Sequence, residues 1–549
     1  MMTKLQSRTT HAIAGLALAI VVLGTLVNSS SVGAQEANPD AACQALLALN
    51  LDDLPDGVSA RVASAALVTV GAEGLPAPAA LLNWSFDSAR GKQYCEVSGY
   101  VARQNQFVLR LPLPADWNRK FFFISCDGFC GRLQPARLNP GLVEGYASVN
   151  SDGGHSSAVF DGIWGDHDPA LQEDFAFRGN HSVTIAAKAI TTAYYKQPIR
   201  RSYMAGFSKG GQATLMAAQR YPQDFDGLVI GAPVYQLTDT VTIRMAWTAK
   251  ANTDGKGGVL IDANAAALLH KGALAACDAN DGIADQLIYD PAHCAFKPST
   301  LLCRTGASSD CLTAAQVAAA EKIYARPTDS AGKPIYNTGQ AIGSETSWAA
   351  WVYPNGRRDL NTEVYYNFVR YLAFEGAPPS GLSTEALKFN FDTDTKKFAR
   401  AHAVYDADNP DLHAFKARGG KILLWHGLAD GAIPPDASVD YYKRVTQAMG
   451  GAADTNDFFR LFLLPGVHHG GGGPGPDQFN SLDAIDNWVE RGAAPFEIVV
   501  GHKANDKIDR TLPVYPYPLT TKYNGNGDPA DARNYHAVEP TTGNAVNGL

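Results

Sequence analysis

The strongest constraint on the fold of this chain is an alternation of short apolar runs with helical stretches. Runs rich in β-branched and aromatic residues begin at residues 120, 146, 202, 227, 421 and 458. They have the length and composition of buried strands. Between them, stretches such as 180–195 and 210–222 carry apolar residues at every third or fourth position, which favours helices. This alternation predicts an α/β fold whose mainly parallel sheet is covered on both faces.

The alternation stops after Pro233 and resumes near residue 418. The chain has 549 residues, more than one hydrophobic core usually organises. The intervening segment carries four of the eight cysteines and aromatic residues such as Trp348 and Trp351. We therefore predict a core domain formed by residues 35–235 and 416–549, interrupted by an inserted lid domain over residues 236–415.

The N-terminus has the features of an export signal. A positively charged start precedes an apolar run over residues 11–27, and Val32 and Ala34 suit a signal-peptidase site. We predict that residues 1–34 are a signal peptide and that the mature protein is secreted or periplasmic. The alternative is a membrane anchor, because the apolar run approaches spanning length. No other stretch of the sequence is apolar enough to span a bilayer, so we expect no membrane contact in the mature form.

The charge of the chain argues against nucleic acid as a partner. The 46 Lys and Arg residues are outnumbered by 54 Asp and Glu, and the formal net charge is -8. The sequence contains no run of Lys and Arg that could neutralise a series of phosphates. We therefore expect a small-molecule partner, and the sequence leaves the oligomeric state open.

The eight cysteines are expected to form disulfides, since an exported chain meets an oxidising environment. They are Cys43, Cys95, Cys126, Cys130, Cys277, Cys294, Cys303 and Cys311. The spacing of Cys126 and Cys130 resembles half of a zinc site, but no second Cys or His pair lies at a matching distance. These two residues form either a small local disulfide or two unpaired buried thiols. Composition alone does not assign the other pairs.

A Gly-x-Ser-x-Gly motif marks a candidate nucleophile. Gly206, Ser208 and Gly210 lie between a predicted strand and a predicted helix, which is the context of a nucleophile elbow. A serine hydroxyl is a weak nucleophile at neutral pH, so it needs a base and a third group that orients the base. The motif therefore predicts Ser208 as the nucleophile of an acyl-transfer reaction.

The base and the acid should follow the serine in the order Asp or Glu, then His. Asp430 follows the strand-like run that begins at residue 421, and His469 follows the run that begins at residue 458. Both residues would lie on loops at the same sheet edge as Ser208. We predict that Asp430 orients His469 and that His469 is the general base.

Three other histidines compete for the role of base. His468 is adjacent to His469, so spacing does not separate the two. His155 precedes the serine and His426 precedes the acid, against the expected order. We interpret His155 and His426 as structural or hydrogen-bonding residues.

Ester cleavage by a serine also requires backbone N–H donors aimed at the developing oxyanion. One donor should come from Lys209, the residue after the nucleophile. The other should come from the loop after the strand-like run at 120–124, where the chain has small and flexible residues. We predict Gly128 as this second donor.

An acidic loop in the insertion is a candidate calcium site. Asp278, Asp281 and Asp285 fall within eight residues, and crowded carboxylates repel one another unless a cation lies between them. Hard oxygen ligands favour calcium over a transition metal. The carbonyl oxygens of Ile283 and Leu287 could complete the shell. The alternative is an acidic solvated loop, since the spacing is not that of an EF-hand.

Four segments resemble the tannase and feruloyl esterase family, which includes the hydrolase of mono-hydroxyethyl terephthalate. They are residues 203–233, 277–291, 414–435 and 463–495. The likeness runs in the same order from about Cys43 to the tail. It implies an α/β-hydrolase core with a large lid, and a serine esterase that cleaves esters of aromatic acids such as feruloyl, galloyl or terephthaloyl esters.

The resemblance also implies roles for particular residues. It assigns the catalytic histidine to His469 rather than His468. It places a structural calcium ion in the lid at Asp278, Asp281 and Asp285, without an organic cofactor. It also implies three disulfide pairs, which are Cys43 with Cys95, Cys277 with Cys294, and Cys303 with Cys311.

This chain departs from the family at two pairs of positions. The family carries a disulfide between a cysteine just before the serine and another just after the histidine, where this chain has Phe207 and Gly470. A second pair near the C-terminus is replaced by Pro513 and Ala537. Because both partners are lost together, the chain represents a subgroup without these disulfides. The departures bear mainly on the substrate, since Phe207 changes the packing beside the nucleophile.

Two alternative functions remain at this stage. One is a hydrolase of aliphatic or polymeric esters, such as hydroxyalkanoate oligomers. The other is a catalytically silent, calcium-binding protein of the cell envelope. Ester turnover and covalent labelling of Ser208 would separate them from an esterase of aromatic acids.

Overall fold

The protein is described by a computed structural model that covers residues 38–76, 90–304, 310–356, 358–505 and 507–540. The predicted signal peptide, residues 1–34, lies outside the described residues. Within the described ranges, no helix is long and apolar enough to cross a membrane.

A nine-stranded sheet organises the described part of the chain, with strand order β1-β2-β3-β5-β4-β6-β7-β8-β9. Its strands are β1 (Ala60–Thr69), β2 (Gln93–Val101), β3 (Asn105–Pro112), β4 (Lys120–Ile124), β5 (Ala147–Ser151), β6 (Arg201–Phe207), β7 (Gly227–Gly231), β8 (Lys421–Gly427) and β9 (Phe459–Leu464). The pairs from β5 through β4 to β9 are parallel, whereas β1, β2, β3 and β5 pair antiparallel.

The predicted α/β architecture is confirmed. The six apolar runs of the sequence correspond to the six strands β4 to β9, with starts that agree within one residue. Every residue of β4 and β7 is buried, as expected for central parallel strands. The sequence did not predict β1, which is rich in alanine and largely exposed, and which is ordered through its pairing with β2.

Helices cover the sheet and form most of the insertion. The α-helices are α1 (Pro39–Gln44), α2 (Asn139–Val143), α3 (Pro169–Glu173), α4 (Gly179–Tyr195), α5 (Lys209–Arg220), α6 (Leu237–Asp239), α7 (Met245–Ala251), α8 (Ala263–Cys277), α9 (Ala314–Tyr324), α10 (Leu360–Asn367), α11 (Ala399–Tyr405), α12 (His413–Ala417), α13 (Asp436–Ala448), α14 (Ala452–Asn456) and α15 (Ser481–Arg491). The π-helical turns are Asp174–Arg178, Thr240–Arg244 and Phe368–Leu372.

Short 3₁₀ helices complete the helical elements. They are Ala45–Ala48, Pro55–Gly57, Pro135–Leu138, Ile163–Gly165, Asp278–Asp281, Pro291–His293, Pro298–Leu301, Glu345–Ser347, Ala386–Lys388, Asp394–Lys397 and Ala532–Asn534. Several begin with proline, whose fixed φ suits the first helical turn. They lie mainly in the insertion and in loops.

The chain leaves the sheet after β7 and returns to it at β8. Between these strands, the described residues contribute helices and no strand of the sheet. This segment has a hydrophobic cluster of its own around Ile261, Leu269 and Trp348. A second cluster joins it to the rest of the protein, since Tyr365 of the segment shares that cluster with Phe175. The domain boundaries at 235 and 416 stay a prediction, because all of these elements pack in one compact unit.

The C-terminal region corrects one expectation. The sequence predicts a surface loop after residue 520, but β12 (Thr520–Tyr523) and β13 (Tyr535–Val538) form a two-stranded antiparallel sheet there. Tyr523 and Tyr535 are paired across it, with ring centroids 5.3 Å apart. Another hairpin, β10 (Ile498–Ala504) and β11 (Lys507–Val514), precedes it. Cross-strand aromatic packing stabilises this region despite its glycine and asparagine content.

All eight cysteines are paired in the structure. The disulfides join Cys43 to Cys95, Cys126 to Cys130, Cys277 to Cys294 and Cys303 to Cys311. Cys126 and Cys130 therefore form the small local disulfide, rather than two thiols, in the loop after β4. The Cys277–Cys294 pair closes the acidic loop.

Candidate active site

Ser208 lies in the sharp turn between β6 and α5. Its backbone has φ 58° and ψ -120°, a region that non-glycine residues rarely adopt. The turn is possible because its neighbours lack side chains: a Cβ on Gly206 would lie 2.1 Å from the carbonyl oxygen of Gly210. The sequence motif thus folds into an elbow that holds the Ser208 hydroxyl above the sheet edge.

A chain of two hydrogen bonds connects Ser208, His469 and Asp430. His469 Nε2 lies 3.0 Å from Ser208 Oγ, and His469 Nδ1 lies 2.6 Å from Asp430 Oδ2. An ionised carboxylate can only accept, so Nδ1 carries the proton and Nε2 accepts the hydrogen bond of the serine hydroxyl. The three residues that the sequence singled out are brought together in the geometry of a general-base triad.

Asp430 is fully buried and is held by four hydrogen bonds. Its Oδ1 accepts the backbone N–H groups of Ala432 and Ile433 at 2.8 Å each. Its Oδ2 accepts from His469 and, at 3.2 Å, from His426. Burial alone would raise its pKa, but the charge of His469 and the hydrogen bonds from both histidines outweigh burial and hold the pKa below its usual range. The side chain is therefore a fixed carboxylate at neutral pH.

His426 and His155 have the supporting positions that their place in the sequence indicates. His426 is fully buried, and its Nε2 lies 3.0 Å from the Ile433 carbonyl, which is acceptor only. Nε2 is therefore protonated and also donates to Asp430, while Nδ1 accepts from Ser438 Oγ at 2.7 Å. His155 Nε2 bonds to the Phe129 carbonyl at 2.7 Å, away from the serine. The contact of His426 with the acid was not expected from the sequence.

His468 is not part of the two hydrogen bonds that connect Ser208, His469 and Asp430. Its Nε2 bonds to Thr346 Oγ1 at 2.8 Å, on the insertion. Burial lowers the pKa of His468. The adjacent histidines are thus separated by geometry: His469 reaches Ser208, and His468 joins the glycine-rich loop to the insertion.

The candidate oxyanion donors lie on either side of Ser208. Lys209 is the first residue of α5, where backbone N–H groups have no partner within the helix. Gly128 lines the same cavity as Ser208 and Lys209, and its N–H donates no hydrogen bond to other described residues. Gly128 has φ +58°, and a Cβ there would meet Val159 at 2.5 Å. The Cys126–Cys130 disulfide fixes the loop that carries it.

An apolar cavity opens beside the Ser208 hydroxyl. Its volume is about 50 Å³. Residues of both the core and the insertion line this cavity. The core contributes Phe129, Phe160 and Ile433, and the insertion contributes Val241, Met245, Trp351 and Val364. Trp351 also contacts the catalytic histidine candidate, with ring centroids of Trp351 and His469 6.0 Å apart. Sequence reasoning noted Trp351 only as an aromatic residue of the insertion and did not predict the other lining residues, which no motif marks.

Comparison with known proteins identifies the family to which the chain belongs. Residues 94–538 match the family model described as tannase and feruloyl esterase. The chain belongs to this family. It is therefore a carboxylic ester hydrolase with an α/β-hydrolase fold, and the alternative of a catalytically silent binding protein does not hold.

Individual relatives named for this family or its activities align with most of the chain. The mono(2-hydroxyethyl) terephthalate hydrolase of Piscinibacter sakaiensis is 32% identical over 91% of this chain and 92% of its own. A probable feruloyl esterase of Arthroderma benhamiae is 31% identical over 78% of this chain and 82% of its own. The crystal structure of an esterase from Aspergillus oryzae superposes with a TM-score of 0.78 at 25% identity, over 91% of this chain and 100% of that one.

Phe207 and Gly470 flank the triad at the positions where the sequence comparison above places a family disulfide. The Phe207 ring lies against the His469 ring, with centroids 4.7 Å apart. Gly470 has φ +81° in the glycine-rich loop that follows His469. In this member of the family, an aromatic contact rather than a covalent bond joins the elbow to the histidine loop.

The acidic loop lies apart from Ser208, between α8 and the C-terminal hairpins. Asp278 Oδ1 accepts the N–H groups of Asp285 and Gln286 at 3.0 and 2.9 Å. Asp281 Oδ1 accepts the N–H of Ile283 at 3.0 Å, while its buried Oδ2 has no hydrogen-bond partner. Within the described residues, no group of three or more His, Cys, Asp or Glu side chains is arranged to hold a metal ion.

The donor set of the loop nevertheless suits a hard cation in part. Burial, with repulsion from Asp285 and Asp278, raises the pKa of Asp281 to about 7. The partnerless Asp281 Oδ2 is an oxygen that a cation would satisfy. The Asp285 carboxylate, in contrast, already has protein partners: it accepts a hydrogen bond from Tyr289 OH at 3.1 Å and forms an ion pair with Arg510 at 3.4 Å. The predicted ligands are therefore near one another, but their side chains are turned to other partners.

Proposed function

We propose that the protein hydrolyses esters of aromatic, phenolic-type acids through an acyl-enzyme formed on Ser208. The observation that carries this proposal is the hydrogen-bonded chain from Ser208 through His469 to Asp430 at the mouth of an apolar, aromatic-lined cavity. Relatives named for feruloyl and terephthalate esters support the substrate class.

The mechanism follows from the protonation states at the site. Ser208 Oγ attacks the ester carbonyl while His469 Nε2 takes its proton, and the oxyanion is held by the N–H groups of Lys209 and Gly128. Collapse of the tetrahedral adduct breaks the bond to the alcohol oxygen, which receives the proton from His469. A water molecule, deprotonated by His469, then attacks the acyl-serine, and the acid leaves with Ser208 restored. Asp430 stabilises the imidazolium in both steps.

The insertion supplies one wall of the acyl site. The cavity of about 50 Å³ is smaller than the roughly 150 Å³ that holds a benzene molecule in a protein interior. Because the cavity is open to solvent, an aromatic acyl group can enter it in part, and its full enclosure requires side chains of the insertion such as Trp351 to move. This requirement makes the insertion a lid in the functional sense, and we propose that it determines which acids are accepted.

A substrate panel tests the proposed class. We expect kcat/KM for methyl ferulate, methyl gallate and mono(2-hydroxyethyl) terephthalate to exceed kcat/KM for a hydroxybutyrate oligomer by at least about tenfold. Ser208→Ala is the control, and it should hydrolyse none of them. Preferential turnover of the aliphatic oligomer by the wild-type protein would overturn the aromatic assignment while leaving the serine mechanism intact.

We also propose that a calcium ion supports the folding of the acidic loop without entering the reaction. Asp278, Asp281 and Asp285 would supply carboxylate oxygens, and Ile283 and Leu287 would supply carbonyl oxygens. The partnerless Asp281 Oδ2 and the mutual repulsion of the carboxylates support this proposal. Export by the N-terminal segment, to the periplasm or outside the cell, is likewise a proposal, and the four disulfides are consistent with an oxidising compartment.

A further inference from the structure

The side chain of Lys209 is a buried cation without a carboxylate partner. Lys209 is 2% exposed, and its ammonium donates a hydrogen bond to the carbonyl of Phe175. The ring of the same phenylalanine lies 4.4 Å from Nζ. Among the described residues, no Asp or Glu forms an ion pair with Lys209. An ammonium taken out of water in this way destabilises the fold unless something compensates for it.

The position of Lys209 in its helix destabilises the buried ammonium further. It is the first residue of α5, where the helix dipole places positive partial charge and disfavours a cation. Burial lowers the pKa of Lys209 to about 7. Lys209 thus combines burial, the lack of a carboxylate partner and a position at a helix N-terminus, directly after the nucleophile. Such unfavourable combinations are typical of functional sites.

The ammonium of Lys209 is connected to both candidate oxyanion donors. The backbone N–H of Lys209 is one of them, so the ammonium is separated from that donor only by the length of the lysine side chain. The other donor, Gly128, precedes Phe129, whose ring packs edge-on against Phe175 with centroids 6.1 Å apart. The carbonyl and ring that hold the ammonium thus also support the Gly128 loop.

We propose that the Lys209 ammonium is the counter-charge of the oxyanion formed during acyl transfer. In the free enzyme the cation faces only a carbonyl and an aromatic ring, and in the transition state negative charge arises at the backbone N–H of the same residue. The side chain of Lys209, unlike its backbone N–H, does not touch the substrate in this arrangement. It is a positioning residue that acts through space and through the Phe129 loop. The inference rests on the proposed acyl transfer at Ser208.

The size of the effect follows from Coulomb's law. A unit charge at roughly 9 Å with an effective dielectric of about 20 changes a rate by about twentyfold, and the partial charge that develops in the transition state reduces this to about tenfold. Because the interaction is made only with the transition state, it should appear in kcat and not in KM. The charge must also be present for the effect, so activity should fall as Lys209 loses its proton.

The titration of Lys209 must be distinguished from that of other groups on neighbouring segments, of which His155 interacts with its charge. Burial lowers the pKa of His155 to about 4, so this imidazole is neutral across the working range. Burial raises the pKa of Asp152 to about 7 and the pKa of Tyr405 further above its ordinary range. Asp174, next to Phe175, is paired with Arg178 at 2.6 Å. Asp152 is therefore the group whose titration could be confused with that of Lys209.

The test is a set of pH–rate profiles with 4-nitrophenyl acetate, followed at the isosbestic wavelength of nitrophenol. We expect the wild-type kcat to fall at alkaline pH as Lys209 loses its proton. Lys209→Met should lower the maximum about tenfold, leave KM within about twofold, and lack the alkaline fall. Lys209→Arg should recover most of the rate and hold it to about pH 9. Asp152→Asn should retain the alkaline fall.

A lysine of the insertion provides a matched control. Lys250 Nζ donates to the Phe389 carbonyl at 2.6 Å and lies 5.3 Å from the Phe391 ring, the same pair of contacts without the active site. Lys250→Met should leave the pH–rate profile unchanged. Melting temperatures provide a second readout: Lys209→Met should melt at or above the wild-type temperature at pH 7, because it removes an uncompensated buried charge.

The outcomes separate this inference from the proposed function. An unchanged kcat in Lys209→Met, or a uniformly lower profile with its alkaline fall intact, would overturn the role of the charge. If Lys209→Met does not fold, the pH–rate profiles of Lys209→Gln and Lys209→Arg provide the test. The inference is wrong if these two pH–rate profiles coincide. Loss of the alkaline fall in Asp152→Asn would assign it to that carboxylate instead. Activity that persists in Ser208→Ala would instead contradict the acyl-enzyme mechanism itself.

Discussion

At the scale of single residues, Asp430 holds the site together. It accepts two backbone N–H groups and two histidines, and it is fully buried. The backbone bonds fix the carboxylate through Oδ1, and His426 shares Oδ2 with His469. The orientation and protonation of His469 therefore depend on a carboxylate that remains ionised at working pH.

Replacing this carboxylate by an amide should damage catalysis more than the fold. Asp430→Asn can present an N–H to His469 Nδ1, which favours the tautomer that cannot accept the serine proton. We expect kcat to fall roughly hundred- to ten-thousandfold with little change in KM. Steady-state kinetics with circular dichroism as the fold control would check this. A variant within tenfold of the wild-type kcat would show that the acid lies elsewhere.

Sequence reasoning could find the residues that a motif marks or that occur in a fixed order along the chain. The Gly-x-Ser-x-Gly turn singled out Ser208, and the order of the loops singled out Asp430 and His469, which the structure brings together. The contact of His426 with Asp430 and the burial of the Lys209 side chain have no local signature. The first contact joins residues only four apart, in a turn conformation that no motif marks, and the second depends on Phe175, which meets Lys209 only in the folded protein.

At the scale of elements, the central parallel strands could be predicted and the irregular ones could not. Strands such as β4 and β7 are buried on both faces, so they read as continuous apolar runs. The segment between β12 and β13 has polar, turn-forming residues, and the antiparallel pairing and the packing of Tyr523 on Tyr535 that distinguish the region from a loop have no apolar run to mark them.

The acidic loop carries a prediction at this scale. Without metal, Asp281 has a pKa of about 7 when folded and an ordinary value of 3.8. The folded state then binds the extra proton between these values, so stability should fall as pH rises from about 4 to 7. Calcium would replace that proton. We therefore expect calcium to raise the melting temperature at pH 7.5 and to have a smaller effect at pH 5.

The control for this prediction is a pair of aspartate variants of the insertion. Asp281→Asn should lose the calcium response and the fall in stability, whereas Asp254→Asn, at an exposed turn, should keep both. Differential scanning fluorimetry in a calcium chelator and in excess calcium would measure this. An identical melting temperature in both conditions at pH 7.5 would exclude calcium binding at the loop.

At the scale of the whole molecule, the substrate site exists only where the insertion packs on the core. Ser208, His469 and Phe129 come from the core, while Met245 and Trp351 come from the insertion. The sequence predicted a core and an insertion, whose boundaries at 235 and 416 stay a prediction. It could not predict which side chains meet, because that depends on the packing of an insertion whose residues follow no motif.

Trp351 offers a test of this arrangement. It limits the cavity next to His469, so Trp351→Ala should enlarge the acyl site. We expect kcat/KM for bulky feruloyl or galloyl esters to rise several-fold relative to kcat/KM for an acetyl ester. Leu387→Ala is a suitable control, since this insertion residue is 48% exposed and is not among the cavity-lining residues. An unchanged ratio for Trp351→Ala would mean that the acyl group binds elsewhere.

The most direct test of the account is covalent labelling with a fluorophosphonate followed by peptide mass spectrometry. The account predicts one phosphonyl group per folded chain, attached to Ser208, with ester hydrolysis lost in proportion to labelling. It also predicts that His469→Ala slows labelling by at least about hundredfold. Full hydrolytic activity in labelled protein, or labelling of folded protein at a residue other than Ser208, would contradict the assignment of the nucleophile.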